Sequence, residues 1–113
     1  MEVFNKQLAL EMVGNEFELL KMLELSFVND KKFDMNALVT LEKDNKFMEA
    51  AAYVHSFKGA ARQIAAEKAA AAGQNLEDVL RGKKEGNLES LNKIFERELM
   101  YAIHEIQHEI ENS

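Results

Sequence analysis

The stretch Lys46-Phe47-Met48-Glu49-Ala50-Ala51-Ala52-Tyr53-Val54-His55-Ser56-Phe57-Lys58-Gly59-Ala60-Ala61-Arg62-Gln63-Ile64-Ala65 places apolar residues at Phe47, Ala50, Val54, Phe57, Ala61 and Ile64. Steps of three and four over nearly three heptads make one seam along a helix. The spacing predicts a helix over about Lys46 to Ala65, packed by that seam against other helices.

The same reading extends along the rest of the 113 residues. Proline is absent and only five glycines occur, while Ala, Leu, Glu, Lys and Met, all strong helix formers, dominate. β-branched residues never alternate with polar ones over a useful length, so the chain reads as all-α. A first helix is expected from about Val3 to Val13, with Phe4, Leu8 and Met12 four apart. A second, from Asn15 to Val28, carries Phe17, Leu19, Leu20, Met22, Leu23 and Phe27 on more than one stripe, which predicts broad burial. A short third carries Met35, Leu38 and Leu41, with Asp34 as its N-cap, and Asp44-Asn45 offers a further cap. The fifth and sixth helices are expected over Glu67 to Arg81 and Leu88 to Glu111, on either side of a loop at Gly82 to Asn87. The polar break Asn29-Asp30-Lys31-Lys32 reads as solvated loop charge. Four long helices with short connections predict an antiparallel four-helix bundle with additional short N-terminal helices, in a single domain over residues 1–113.

Charge and composition exclude several functions. A net charge of −6 disfavours nucleic acid and an anionic membrane surface as partners. Without cysteine there is neither a disulfide framework nor a thiolate metal site. No window has the length of apolar chain needed to span a bilayer, and residues 1–10 lack the pattern of a signal peptide, so a cytoplasmic protein is expected.

With Val54 in the seam, His55 lies about 100° round the helix and faces outward. Lys58, Gly59 and Arg62, three, four and seven residues on, fall on its face. An exposed imidazole is a nucleophile near neutral pH, and Lys58 and Arg62 offer positive charge where phosphoryl oxygens would sit. Gly59 costs a helix about 1 kcal/mol relative to alanine. Either tight helix packing or open access to His55 would explain it. Together the four residues suit in-line phosphoryl transfer, in which positioning and charge compensation supply most of the catalysis.

The run from His55 through Lys58-Gly59 to Ala65 resembles the signature of histidine-containing phosphotransfer (HPt) domains, and the helix pattern of the whole chain is similar to theirs. The resemblance implies a helical bundle whose His55 accepts a phosphoryl group and passes it to a response-regulator receiver domain. The donor would be another receiver aspartate, or a hybrid or chemotaxis-type sensor histidine kinase. It further implies that Glu77, 22 residues after the histidine, accepts a hydrogen bond from Nδ1–H of His55 and leaves Nε2 free. Gln74 is a second candidate, for contact with a phosphoryl oxygen. The carrier would need no nucleotide site, cofactor or metal of its own, Mg²⁺ belonging to the receiver. Where the signature has glycine this chain has Ala65, and a slightly different turn is expected there. A free-standing monomer is expected, a piece of a larger kinase being the alternative. A non-catalytic receiver-binding scaffold or decoy of the same fold is the competing function.

Three further features are read more plainly. His104-Glu105-Ile106-Gln107-His108 matches the H-E-x-x-H zinc-protease pattern. Ile103, Ile106 and Ile110 around it sit at packing positions, so two surface histidines and no metal are expected. Arg81, Lys83 and Lys84 are loop charge that would steer an acidic partner at most. Leu8 and Met12 are expected either to pack on the bundle or to form a docking patch beside His55.

Overall fold

A computed structural model describes residues 1–30 and 32–112. Lys31 of the polar break therefore lies outside the described residues. The fold is all-α, with six helices among the described residues: α1 (Lys6–Met12), α2 (Phe17–Asn29), α3 (Met35–Lys43), α4 (Phe47–Gln63), α5 (Glu67–Leu80) and α6 (Leu88–Glu111). Helices α2, α4, α5 and α6 form the antiparallel bundle, and the short α1 and α3 pack against α2 and α4.

Local chemistry sets the helix ends. The side chains of Asn5, Asp34 and Asn87 accept hydrogen bonds from first-turn amides of α1, α3 and α6. Among the described residues, α1, α3, α4 and α5 close in Schellman turns, in which the second residue past the helix is left-handed: Gly14, Asn45, Ala65 and Gly82 all have positive φ. Asp44-Asn45 thus caps the C-terminus of α3. At Ala65, φ is +58° and the Ala66 amide bonds to Ala61 O at 2.9 Å. This is the turn a glycine would make, so the expectation of a different turn at Ala65 is corrected. The left-handed conformation costs alanine roughly 1–2 kcal/mol. The methyl group offsets part of that cost, because it is buried with Ala9 and Leu20 under Phe4 and Leu8.

The core runs through Leu38, Val54, Phe57, Leu76, Phe95, Leu99 and Ile106. Phe33 meets Phe57 and Phe95 edge-on, with centroids 5.4 and 5.5 Å apart. The most extensive helix pairing is α4 with α5, where the small residues Ala61, Ala69, Ala72 and Gly73 are buried.

Two expectations about the N-terminal region are corrected. Helix α1 starts at Lys6, not Val3, because residues 2–5 run along the α4–α5 turn, with Asn5 N bonded to Ala65 O at 3.0 Å. Leu8 packs there, whereas Met12 is exposed. Helix α2 is not broadly buried. Leu20, Glu24, Phe27 and Val28 face the bundle, but Phe17 and Met22 are 65% and 67% exposed. Among the described residues α2 meets α1, α4 and α6, and Phe17 and Met22 stay largely outside those contacts.

Candidate functional site

The seam of α4 buries Val54 and Phe57 and turns His55 outward, with 59% of its side chain exposed. Across the α4–α5 interface, Leu76 is buried in the core, and the next residue, Glu77, points back toward α4. His55 Nδ1 lies 3.1 and 3.2 Å from Glu77 Oε1 and Oε2.

Glu77 is only 7% exposed, yet it is fully paired. Lys58 Nζ is 2.8 Å from Oε1, and Arg81 Nε donates to Oε2 at 2.8 Å. Burial alone would push this carboxyl up. The hydrogen bonds from Lys58, Arg81 and His55, with the Lys58 charge, outweigh burial and hold it down at about 2. An ionised carboxylate only accepts hydrogen bonds, so the imidazole atom facing it carries the proton. The neutral ring then has its lone pair on Nε2, on the side away from Glu77.

Lys58 departs from its expected place. It does not stand free on the face of His55: its side chain is 5% exposed, and its ammonium is held between Glu77 and Gln74 Oε1, the latter at 3.0 Å. Three residues from His55, it leans toward α5 and fills the space left by Gly73. A Cβ on Gly73 would come within 3.0 Å of Lys58 Cβ and 2.8 Å of Phe95. Gly73 was not among the expected site residues, and its signal was a lone glycine inside an otherwise regular helix pattern. Gln74 likewise turns to Lys58 and to Asp78, 2.8 Å away, rather than outward.

Gly59 sits in open surroundings, where a Cβ would meet nothing within 4 Å. Helix packing therefore does not account for it. Arg62 is exposed and forms no ion pair among the described residues, about 10 Å along the helix axis from His55. Arg81 supports Glu77 instead of standing as free loop charge, and Lys84 donates to Asn75. His104 and His108 are exposed on α6, and no group of three or more metal-ligating side chains occurs among the described residues. No helix there is long and apolar enough to cross a membrane.

In comparisons with known proteins, no curated protein and no solved structure gave a match. A family model did. The model of the Hpt domain matches residues 16–113, which takes in α2 through α6 and the histidine with its carboxylate partner. Hpt domains are phosphocarrier modules of two-component signalling, and by this match the chain belongs to the Hpt domain family.

Proposed function

We propose that His55 is the phosphoacceptor of a phosphorelay, taking a phosphoryl group from a receiver aspartate or a sensor histidine kinase and delivering it to a response-regulator aspartate. The observation that carries this reading is the pairing of an exposed imidazole with a buried, ionised Glu77. Nε2 attacks the phosphorus of the aspartyl phosphate in line. The new N–P bond forms as the acyl-phosphate P–O bond breaks, and the aspartate leaves as a carboxylate. The ring, still protonated at Nδ1, becomes a cation, and Glu77 stabilises that charge 3.1 Å away. Transfer to the next aspartate reverses these steps.

The other residues support that exchange. Lys58 and Arg81 keep Glu77 ionised, so it neither takes the Nδ1 proton nor turns away. Gly59 leaves the approach to Nε2 open. Arg62, on the same exposed face, meets the acidic pocket of a receiver. Mg²⁺ belongs to that receiver, and this chain supplies no metal ligand to the reaction. The chain works as one monomeric module.

Incubation with a phosphorylated receiver tests the reading. Acid-labile, alkali-stable label is expected on the parent protein and none on His55→Gln. Equal labelling of His55→Gln would remove the assignment. Receiver binding without any labelling of the parent would favour the scaffold reading.

A further inference from the structure

A groove of about 520 Å³ opens between α3, the start of α4 and the start of α6, away from the phosphoacceptor. Its walls are apolar, from Met35, Val39, Phe47 and Leu88, and Glu42 and Asn92 also line it. The volume is in the range of small-molecule sites. Phe47 precedes His55 by eight residues, which puts the groove about 12 Å along the α4 axis from the imidazole.

The polar pair is incomplete. Asn92 is only 3% exposed, and its Nδ2 donates to Glu42 Oε1 at 2.7 Å. The other two oxygens, Glu42 Oε2 and Asn92 Oδ1, are buried and accept no hydrogen bond from any described residue. Buried acceptors normally have a donor. One is a carboxylate oxygen and the other an amide oxygen, on two residues that already share a hydrogen bond. A group with several N–H donors and a positive charge answers both. On the rim, Glu89 and Lys93 pair with each other at 3.2 Å and Lys43 is exposed, so the polar pair and not the rim selects the ligand.

We infer that this groove binds a small amphiphilic amine, its alkyl or aryl body against Met35, Val39, Phe47 and Leu88 and its ammonium on Glu42 and Asn92. Burial pushes the Glu42 carboxyl up, against the hydrogen bond from Asn92. An ammonium would relieve that penalty by pairing with the ionised form.

Amide NMR titration of the full chain with n-hexylammonium chloride tests the inference, with n-hexanol and methylammonium as controls. Saturable shifts are expected at Val39, Phe47, Leu88 and the Asn92 side chain. Hexanol should bind at least roughly ten-fold more weakly, since its hydroxyl offers one donor and no charge to the carboxylate, and methylammonium should not saturate. Val39→Trp, which fills the groove, should abolish binding. Glu42→Gln removes the charge that would pair with the ammonium, so it should weaken hexylammonium binding to the level of hexanol. Asn92→Leu should weaken it likewise. If Asn92→Leu fails to fold, the other two variants decide. No saturation at millimolar ligand, equal binding of hexanol, shifts centred elsewhere, or unchanged binding by folded Glu42→Gln or Val39→Trp would overturn the inference.

Discussion

Replacing Lys58 with methionine isolates the ion pair beneath His55. Methionine keeps most of the aliphatic stem that packs beside Gly73 and Phe95, and removes the ammonium 2.8 Å from Glu77. Holding Glu77 at about 2, against an ordinary value of 4.5, is worth roughly 3 kcal/mol at neutral pH. Lys58 contributes both a hydrogen bond and a charge to that effect, more than Arg81 or His55 does. Breaking a buried pair outright costs about 3–5 kcal/mol. Here Glu77 keeps two other donors, so Lys58→Met should cost about 2 kcal/mol and lower Tm by roughly 10 °C. Urea unfolding of Lys58→Met, Glu77→Gln and the double variant measures the coupling, expected at 1 kcal/mol or more by this reasoning.

The pH dependence carries an independent check of the same pair. Glu77 is depressed in the fold, so its contribution is complete above its unfolded value near 4.5 and is lost as pH falls toward about 2. In Lys58→Met that loss should still begin near 4.5 but end at higher pH and be smaller in total. Glu24 and Glu42 run the opposite way, because burial raises them and the fold gains as they protonate. Both are common to the two proteins and cancel in the difference. Loss of less than about 0.5 kcal/mol, or an equal loss in the Glu77→Gln background, would refute the reasoning by assigning the cost to packing.

The two mid-helix glycines near the site should respond with opposite sign. Gly59→Ala should stabilise by up to about 1 kcal/mol, and Gly73→Ala should destabilise by about 1–2 kcal/mol, because its Cβ meets Phe95 and Lys58; thermal melts compare them directly. Gly59→Trp should block transfer from a receiver but leave phosphorylation by phosphoramidate, a far smaller donor, nearly unchanged. Ala65→Gly should shift stability by less than about 1 kcal/mol, strain relief being offset by the lost methyl burial and a more flexible unfolded chain, whereas Ala65→Val should cost more than about 2 kcal/mol. Glu77→Ala should slow transfer without abolishing receiver binding, as single-turnover rates and a binding isotherm would show.

Helical phase alone told much of this structure. The seam through Val54 and Phe57 located α4 and turned His55 outward, and the Leu88–Glu111 periodicity matched α6 at both ends. Phase could not say which apolar stripes find a neighbour. Met22 and Leu23 are both apolar, but Leu23 meets the core and Met22 is exposed. The same limit hid the direction of Lys58. Its flexible side chain can reach solvent or an adjacent helix, and the choice rests on Gly73 and Glu77, which lie on a different helix. Ala65 was misjudged for a related reason. Backbone preference argues against alanine at positive φ, but the packing of α1 onto that methyl is a tertiary fact.

The most direct test of the account is to phosphorylate the full chain with phosphoramidate and locate the phosphoryl group by phosphorus–nitrogen coupling in NMR. One phosphoryl group per chain, on Nε2 of His55, is the result expected from an Nδ1–H held by Glu77. Phosphorylation at Nδ1 of His55, or at His104 or His108 with His55 unmodified, would contradict it.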